Sequence, residues 1–193
     1  PNKSKAGSSK ESLTASLTEM LSWDWQGTEL VIEHCDAFIE GQAPSKGFLS
    51  IEDEIAAITA AKAATGKSVG ICINWGRSAI ETRSAEGVVT HIKAAKNAGV
   101  LSGLMFSGAS GNESDYGVWR DSHMPPQAFT TGGAGEPSSL MTADTIKDCL
   151  EAAGPDSLLY LGAKLGIRPR DAGVVERLSY NRAIFSALDG FVA

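Results

Sequence analysis

The sequence predicts an α/β protein built on a parallel sheet, and three observations carry that prediction. Segments with helical apolar spacing alternate with short apolar runs, the pattern of successive strand–helix units. The runs SVGICIN and VLSGLMFS are almost wholly apolar or small, as strands covered on both faces are. With 42% hydrophobic and 21% charged residues among 193, the chain has the composition of an ordered domain with a sizeable core.

Leu13, Leu17, Met20 and Leu21 recur at helical spacing and predict a first helix over residues 10–23. ELVIEH, residues 29–34, reads as the first strand, and a loop rich in Gly, Pro and Ser follows over 38–48. Ser50 opens the second helix, with Asp53 three residues on in the manner of a capping box. Ile51, Ile55, Ile58 and Ala61 form its apolar face, and Gly66 stops it. The second strand covers 68–74, after which Gly76 is read as a sharp turn. A third helix is capped by Ser84, carries Val88, Ile92 and Ala95, and ends at Gly99. The third strand covers 100–107.

The loop over 108–141 contains GASG, TGGAG and Pro125-Pro126, and its length marks it as functional or mobile. TGGAG reads first as a lid hinge. The fourth helix follows Thr142 and runs to Ala153, with Gly154 as its stop. The fourth strand covers 158–163 and the last helix 174–188. Four such strands make either a small open sheet or part of a barrel, which takes eight strands and about 250 residues. Periodicity does not choose between them.

The net charge of −6 ranks nucleic acid low as a partner, because the overall field repels phosphate. Nowhere do about 18 apolar residues run together, and no secretory signal is visible, so no membrane partner is expected. Cys35, Cys72 and Cys149 are odd in number and fit no zinc spacing. They read as buried thiols in a cytoplasmic protein. Pro1-Asn2-Lys3-Ser4-Lys5 reads as a loop already in progress, so an N-terminal half of a longer protein is expected.

In parallel α/β folds, ligands meet the C-terminal ends of the strands. Glu33-His34-Cys35-Asp36 is the densest polar cluster there. Alternation puts Glu33 and Cys35 on one face and His34 and Asp36 on the other. Glu33 is a candidate base, metal ligand or acceptor for substrate hydroxyls, or a carboxylate paired with Lys164 or Arg77. His34 and Asp36 are candidate substrate contacts, with a structural histidine as the alternative for His34. His91, mid-helix, is read as exposed and without a role.

Asn74-Trp75-Gly76-Arg77-Ser78 follows the second strand. Arg77 could hold a carboxylate or phosphate with its planar fork, and Trp75 could stack on a sugar ring. The alternative is a salt bridge to Glu81 or Asp36, with Trp75 as packing. Ser107 ends the third strand beside small residues that let a ligand approach. In the long loop, Arg120, Asp121 and His123 are candidates, His123 as an acid–base group. Lys164 ends the fourth strand, where it could bind an anion, move a proton or pair with Glu33.

LVIEHCD, ICINWGRS, LMFSGAS and LYLGAKLG, in this order, resemble the last four strands of the xylose isomerase-like barrels. The whole chain is similar to the C-terminal portion of an uncharacterised bacterial family of that kind, domain of unknown function 4862. The resemblance implies the C-terminal half of a (β/α)₈ TIM barrel, with four parallel strands and flanking helices. It implies a small-molecule carbohydrate as partner, and sugar or sugar-acid isomerase or epimerase chemistry. A non-catalytic sugar-binding or regulatory barrel and an apurinic endonuclease-like nuclease are the alternatives, the nuclease disfavoured by the charge.

Many members of the superfamily hold a divalent metal with Glu, Asp, His and Glu from these strands. Here those positions fall on Glu33, Asn74, Ser107 and near Lys164. Only Glu33 is a family-type ligand, and Lys164 would put a cation about where the metal would bind; unit charges roughly 4 Å apart already interact by about 4 kcal/mol at intermediate dielectric, enough to discourage a dication. The cofactor is left open, and a departed metal site is expected. Half a barrel also leaves two open sheet edges, to be met by the N-terminal half or a second copy of the chain.

Overall fold

In the computed structural model, residues 8–154 and 158–192 are described. The segment at residues 1–5, read from sequence as a loop in progress, lies outside them. The elements run α1 (Lys10–Ser22), β1 (Leu30–Glu33), α2 (Ile51–Thr65), β2 (Val69–Asn74), α3 (Trp75–Thr82), α4 (Glu86–Asn97), β3 (Leu101–Phe106), α5 (Ala143–Ala153), β4 (Tyr160–Ala163) and α6 (Val174–Val192). The four strands form one parallel sheet in the order β1-β2-β3-β4. The predicted α/β class is therefore the observed one, and its layout is compatible with half a TIM barrel.

One side of this sheet makes the core. Ile71, Ile73, Leu104 and Phe106 are buried there against Leu17, Leu21, Ile58, Ala61, Ile92, Ile146 and Leu150 of the helices. The other face carries Glu33, Cys72, Asn74, Met105 and Gly162, by alternation from the paired registers. The Tyr160 ring lies over Gly103 on that face. A flat sheet with about 4.8 Å between neighbours would hold β1 and β4 roughly 14 Å apart. Yet Lys164 Nζ, just beyond β4, lies 2.5 Å from Glu33 Oε1 at the end of β1. Such a contact across all four strands is what a concave, barrel-like wall allows.

The helix boundaries follow local chemistry. Ser9 Oγ accepts from the Ser12 backbone, Ser50 Oγ from Asp53 and Thr142 Oγ1 from Thr145, each capping a helix start. Thr145 returns the bond to the Thr142 backbone, completing a capping box the sequence did not advertise. The cap position of α4 is Ala85, one residue after the predicted Ser84, whose Oγ nevertheless accepts from the Glu86 and Gly87 backbones at 3.1 and 3.3 Å.

One expectation is corrected. Gly76 makes no turn: α3 begins directly after β2, capped by Asn74, whose Oδ1 accepts from the Arg77 backbone at 3.3 Å. Gly76 serves close approach instead, since a Cβ there would stand 2.5 Å from the Ser107 carbonyl oxygen. In the loop between β3 and α5, Tyr116, Met124, Ser139 and Met141 are buried, and a Cβ on Gly135 would meet the Ala128 backbone nitrogen at 2.1 Å, while Thr131, Gly132 and Gly133 of TGGAG are exposed. Among the described residues, no helix is long and apolar enough to cross a membrane.

Candidate functional site

Glu33 sits where β1 ends, with its side chain 30% exposed on the sheet face away from the helix-side core. Its Oε1 accepts from Asn74 Nδ2 at 2.9 Å and from Lys164 Nζ at 2.5 Å, and its Oε2 lies 3.8 Å from Arg77 Nη1. Burial pushes this carboxyl up, but the hydrogen bonds from Asn74 and Lys164 and the Arg77 charge outweigh it. Glu33 is held below the ordinary carboxylate range and is ionised at neutral pH.

Asn74 is the hub. As the last residue of β2 and the cap of α3, its amide is fixed on three sides. Its Oδ1 accepts from the Arg77 backbone and from Ser107 Oγ at 2.9 Å, while its Nδ2 serves Glu33. Aspartate in its place could not donate to Glu33.

Arg77 projects from the first turn of α3, and its Nη2 lies 3.2 Å from Asp121 Oδ2. Its Nη1 contacts the Cys35 sulfur. Burial opposes its charge, yet Cys35, Asp121 and Glu33 overcome that and raise the guanidinium above its ordinary value. Burial pushes the Cys35 thiol up to about 11, so it stays protonated. Asp121, brought in by the long loop, also faces Lys46 at 3.7 Å and His123 at 3.6 Å. Segments that follow all four strands therefore converge on one place: Lys46 after β1, Arg77 of α3 after β2, Asp121 and His123 after β3, and Lys164 after β4.

Of the residues singled out from sequence, Glu33, Asn74, Arg77, Ser107 and Lys164 form one linked group, and His123 joins it through Asp121. Asp121 is thus part of the group, Arg120 is exposed on the same loop, and Asp36, Trp75 and His34 stand elsewhere. Asp36 is fully buried and accepts from the backbone N–H groups of Ser45, Lys46 and Gly47, shaping its own loop. Trp75 is buried in the helix-side core. His34 lies on the opposite face, as alternation foresaw, with no exposed surface.

His34 is clamped between two helices. Its Nδ1 is 2.7 Å from Glu54 Oε2 of α2, and its Nε2 is 3.0 Å from Glu81 Oε2 of α3. Burial pushes the imidazole down, but the two carboxylates more than reverse this and raise it to about 9. His91 of α4 corrects the expectation of exposure: it is buried, 3.0 Å from Ser78 Oγ and 3.6 Å from Glu81 Oε1. Burial and the neighbouring His34 charge push it down to about 4. The signal was present in the sequence, because His91 falls on the Val88, Ile92, Ala95 stripe and Glu54 between Ile51 and Ile58.

A parallel α/β sheet with a polar cluster at its strand ends defines the class: a barrel-type or open α/β protein, in which ligands generally meet the segments after the strands. The chain matches, over residues 1–180, the family described as Domain of unknown function (DUF4862), and it belongs to that family. It is 40% identical over 155 residues to the uncharacterized protein STM3670 of Salmonella typhimurium. That match covers 80% of this chain and 45% of the relative, so the matched stretch spans less than half of the relative's length. No solved structure matches the chain.

The Glu33 group does not fit the divalent metal that the superfamily resemblance implied. Glu33 is its one carboxylate directly at the strand ends, and the Lys164 ammonium already lies 2.5 Å from it. Asn74 and Ser107 are spent on each other. No step below is routed through a metal there.

Proposed function

We propose that this chain supplies the strand-end half of a sugar or sugar-acid isomerase or epimerase site of the xylose isomerase-like barrel type. The single observation behind this reading is the Glu33–Lys164 pair, joined across the sheet and flanked by Asn74 and Arg77. The rest of the site comes from the N-terminal half of a longer protein or from a second copy, in the cytoplasm. The three buried, unpaired cysteines fit that setting.

The proposed chemistry is a proton shift beside a carbonyl. Glu33 removes the proton from that carbon, a cation stabilises the negative charge that develops on the carbonyl oxygen, and the protonated Glu33 returns its proton to the neighbouring carbon of the enediolate. A carboxylate held down by two cations is a weak base. Substrate binding must therefore turn Lys164 from Glu33 to the carbonyl oxygen, which raises the proton affinity of Glu33 as it is needed. Asn74 keeps the carboxylate aimed throughout, and Arg77 or His123 meets a further substrate oxygen.

The 2.5 Å ion pair also favours a second reading, a barrel that binds sugars without turning them over. One experiment separates the two. A panel of aldoses, ketoses and sugar acids is offered to the protein, and interconversion and binding are followed by NMR. Formation of an isomer or epimer supports the enzyme, and saturable binding without conversion supports the second reading. Neither binding nor conversion with any member of the panel rejects both.

A further inference from the structure

We propose that His34, Glu81 and His91 form a buried binding site for a single transition-metal ion such as Zn²⁺, on the helix side of the sheet. This site is separate from the Glu33 group on the other face. One ligand atom from each of the three residues lies within 4.8 Å of the others. All three are buried, on three different elements that meet at the end of β1.

The arrangement has the parts of a histidine–carboxylate metal centre. Each ring has one nitrogen turned towards Glu81 and the other held by an outer partner. His34 Nδ1 is held by Glu54 at 2.7 Å and His91 Nδ1 by Ser78 Oγ at 3.0 Å. Such outer partners fix the tautomer and aim the ligating nitrogen. Glu81 Oε2 is occupied by the Ala37 backbone N–H at 2.8 Å and by His34. Its Oε1 faces His91 Nε2 at 3.6 Å, too far for a hydrogen bond. Bonds of about 2.0–2.2 Å in a tetrahedral zinc site set ligand atoms roughly 3.3–3.5 Å apart. That 3.6 Å gap is close to the spacing a shared ion leaves.

Charge points the same way. Glu54 and Glu81 are both buried on either side of His34, so a cation held there would lie against acidic side chains rather than in apolar surroundings. The loop between β1 and α2 closes over the place, with Gln42 donating to the Ile80 and Glu81 carbonyls. An ion would thus be taken up during folding or by opening of that loop.

The test uses Zn²⁺ and Co²⁺ alone, added to chelator-stripped protein. The proposal expects one ion per chain and a visible Co²⁺ absorption from nitrogen and oxygen ligands. His91→Gln should weaken Zn²⁺ binding by at least about tenfold, and Glu33→Gln should leave it unchanged. Should His91→Gln fail to fold, Ser78→Ala removes only the outer partner and should weaken binding by about 10–100-fold. Failure to retain either ion overturns the proposal. So does an affinity that the His91 or Ser78 change leaves unaltered, as that of an ion on exposed His123 would be, or binding that Glu33→Gln abolishes.

Discussion

Glu33 and His34 are neighbours in the chain with opposite surroundings, and each gives a separate prediction. Lys164→Met leaves Glu33 with Asn74 and Arg77 alone. The Glu33 carboxyl should then titrate at higher pH, read by carbon-detected NMR; an unmoved titration would show that Lys164 does not hold it down. His34 binds its proton more tightly folded than unfolded, between 6.5 and about 9. It therefore adds stability that is full below about 6.5 and is lost as pH rises towards 9. His91 does the reverse: pushed from 6.5 to about 4, it adds stability above about 6.5 that is lost as pH falls towards 4. Denaturation with chelator present should give greatest stability near pH 6.5. His34→Gln should remove the alkaline decline and His91→Gln the part of the acid decline that lies above pH 4. A flat profile in the unaltered protein would contradict both assignments.

At the scale of elements, α3 is the piece that positions the site. Gly76→Ala forces a methyl to within 2.5 Å of the Ser107 carbonyl and should cost about 1–3 kcal/mol, seen as a lower denaturation midpoint. Asn74→Ala removes the α3 cap, for about 0.5–2 kcal/mol, and also a donor to Glu33. A midpoint unchanged by either substitution would mean that α3 is not seated as described. These are also the residues at which sequence reading reached its limit. The strands, the Ser50 and Thr142 starts and the Gly66 and Gly154 stops were legible because each depends on neighbours in the chain. The start of α3 was not, because Asn74 and Gly76 in succession read equally as a turn. What decides is the distant Ser107 backbone. Glu33 facing Lys164 followed from strand alternation, whereas Glu54, Glu81 and His91 meeting around His34 required three helices to be placed first.

At the scale of the whole molecule, the sheet is unfinished. Among the described residues, β1 and β4 each have a strand neighbour on one side only. Leu159, Val174, Val175, Leu178 and Phe185 are exposed near or on α6, beyond the β4 side. Open edges and apolar surface of this kind seek a partner. Sedimentation of the 193-residue chain should therefore show self-association at micromolar concentration, and co-expression with the remaining half of a full-length relative should yield a complex. A monodisperse monomer that ignores that half would count against a divided barrel.

The most direct test of the proposed chemistry is proton wash-in from D₂O at the carbon beside the carbonyl of a bound sugar. It is measured on the assembled protein and on its Glu33→Gln variant. If Glu33 is the base, deuterium enters with the unaltered protein and slows by about 10²–10⁴-fold in the variant. Equal wash-in from both proteins would contradict the assignment.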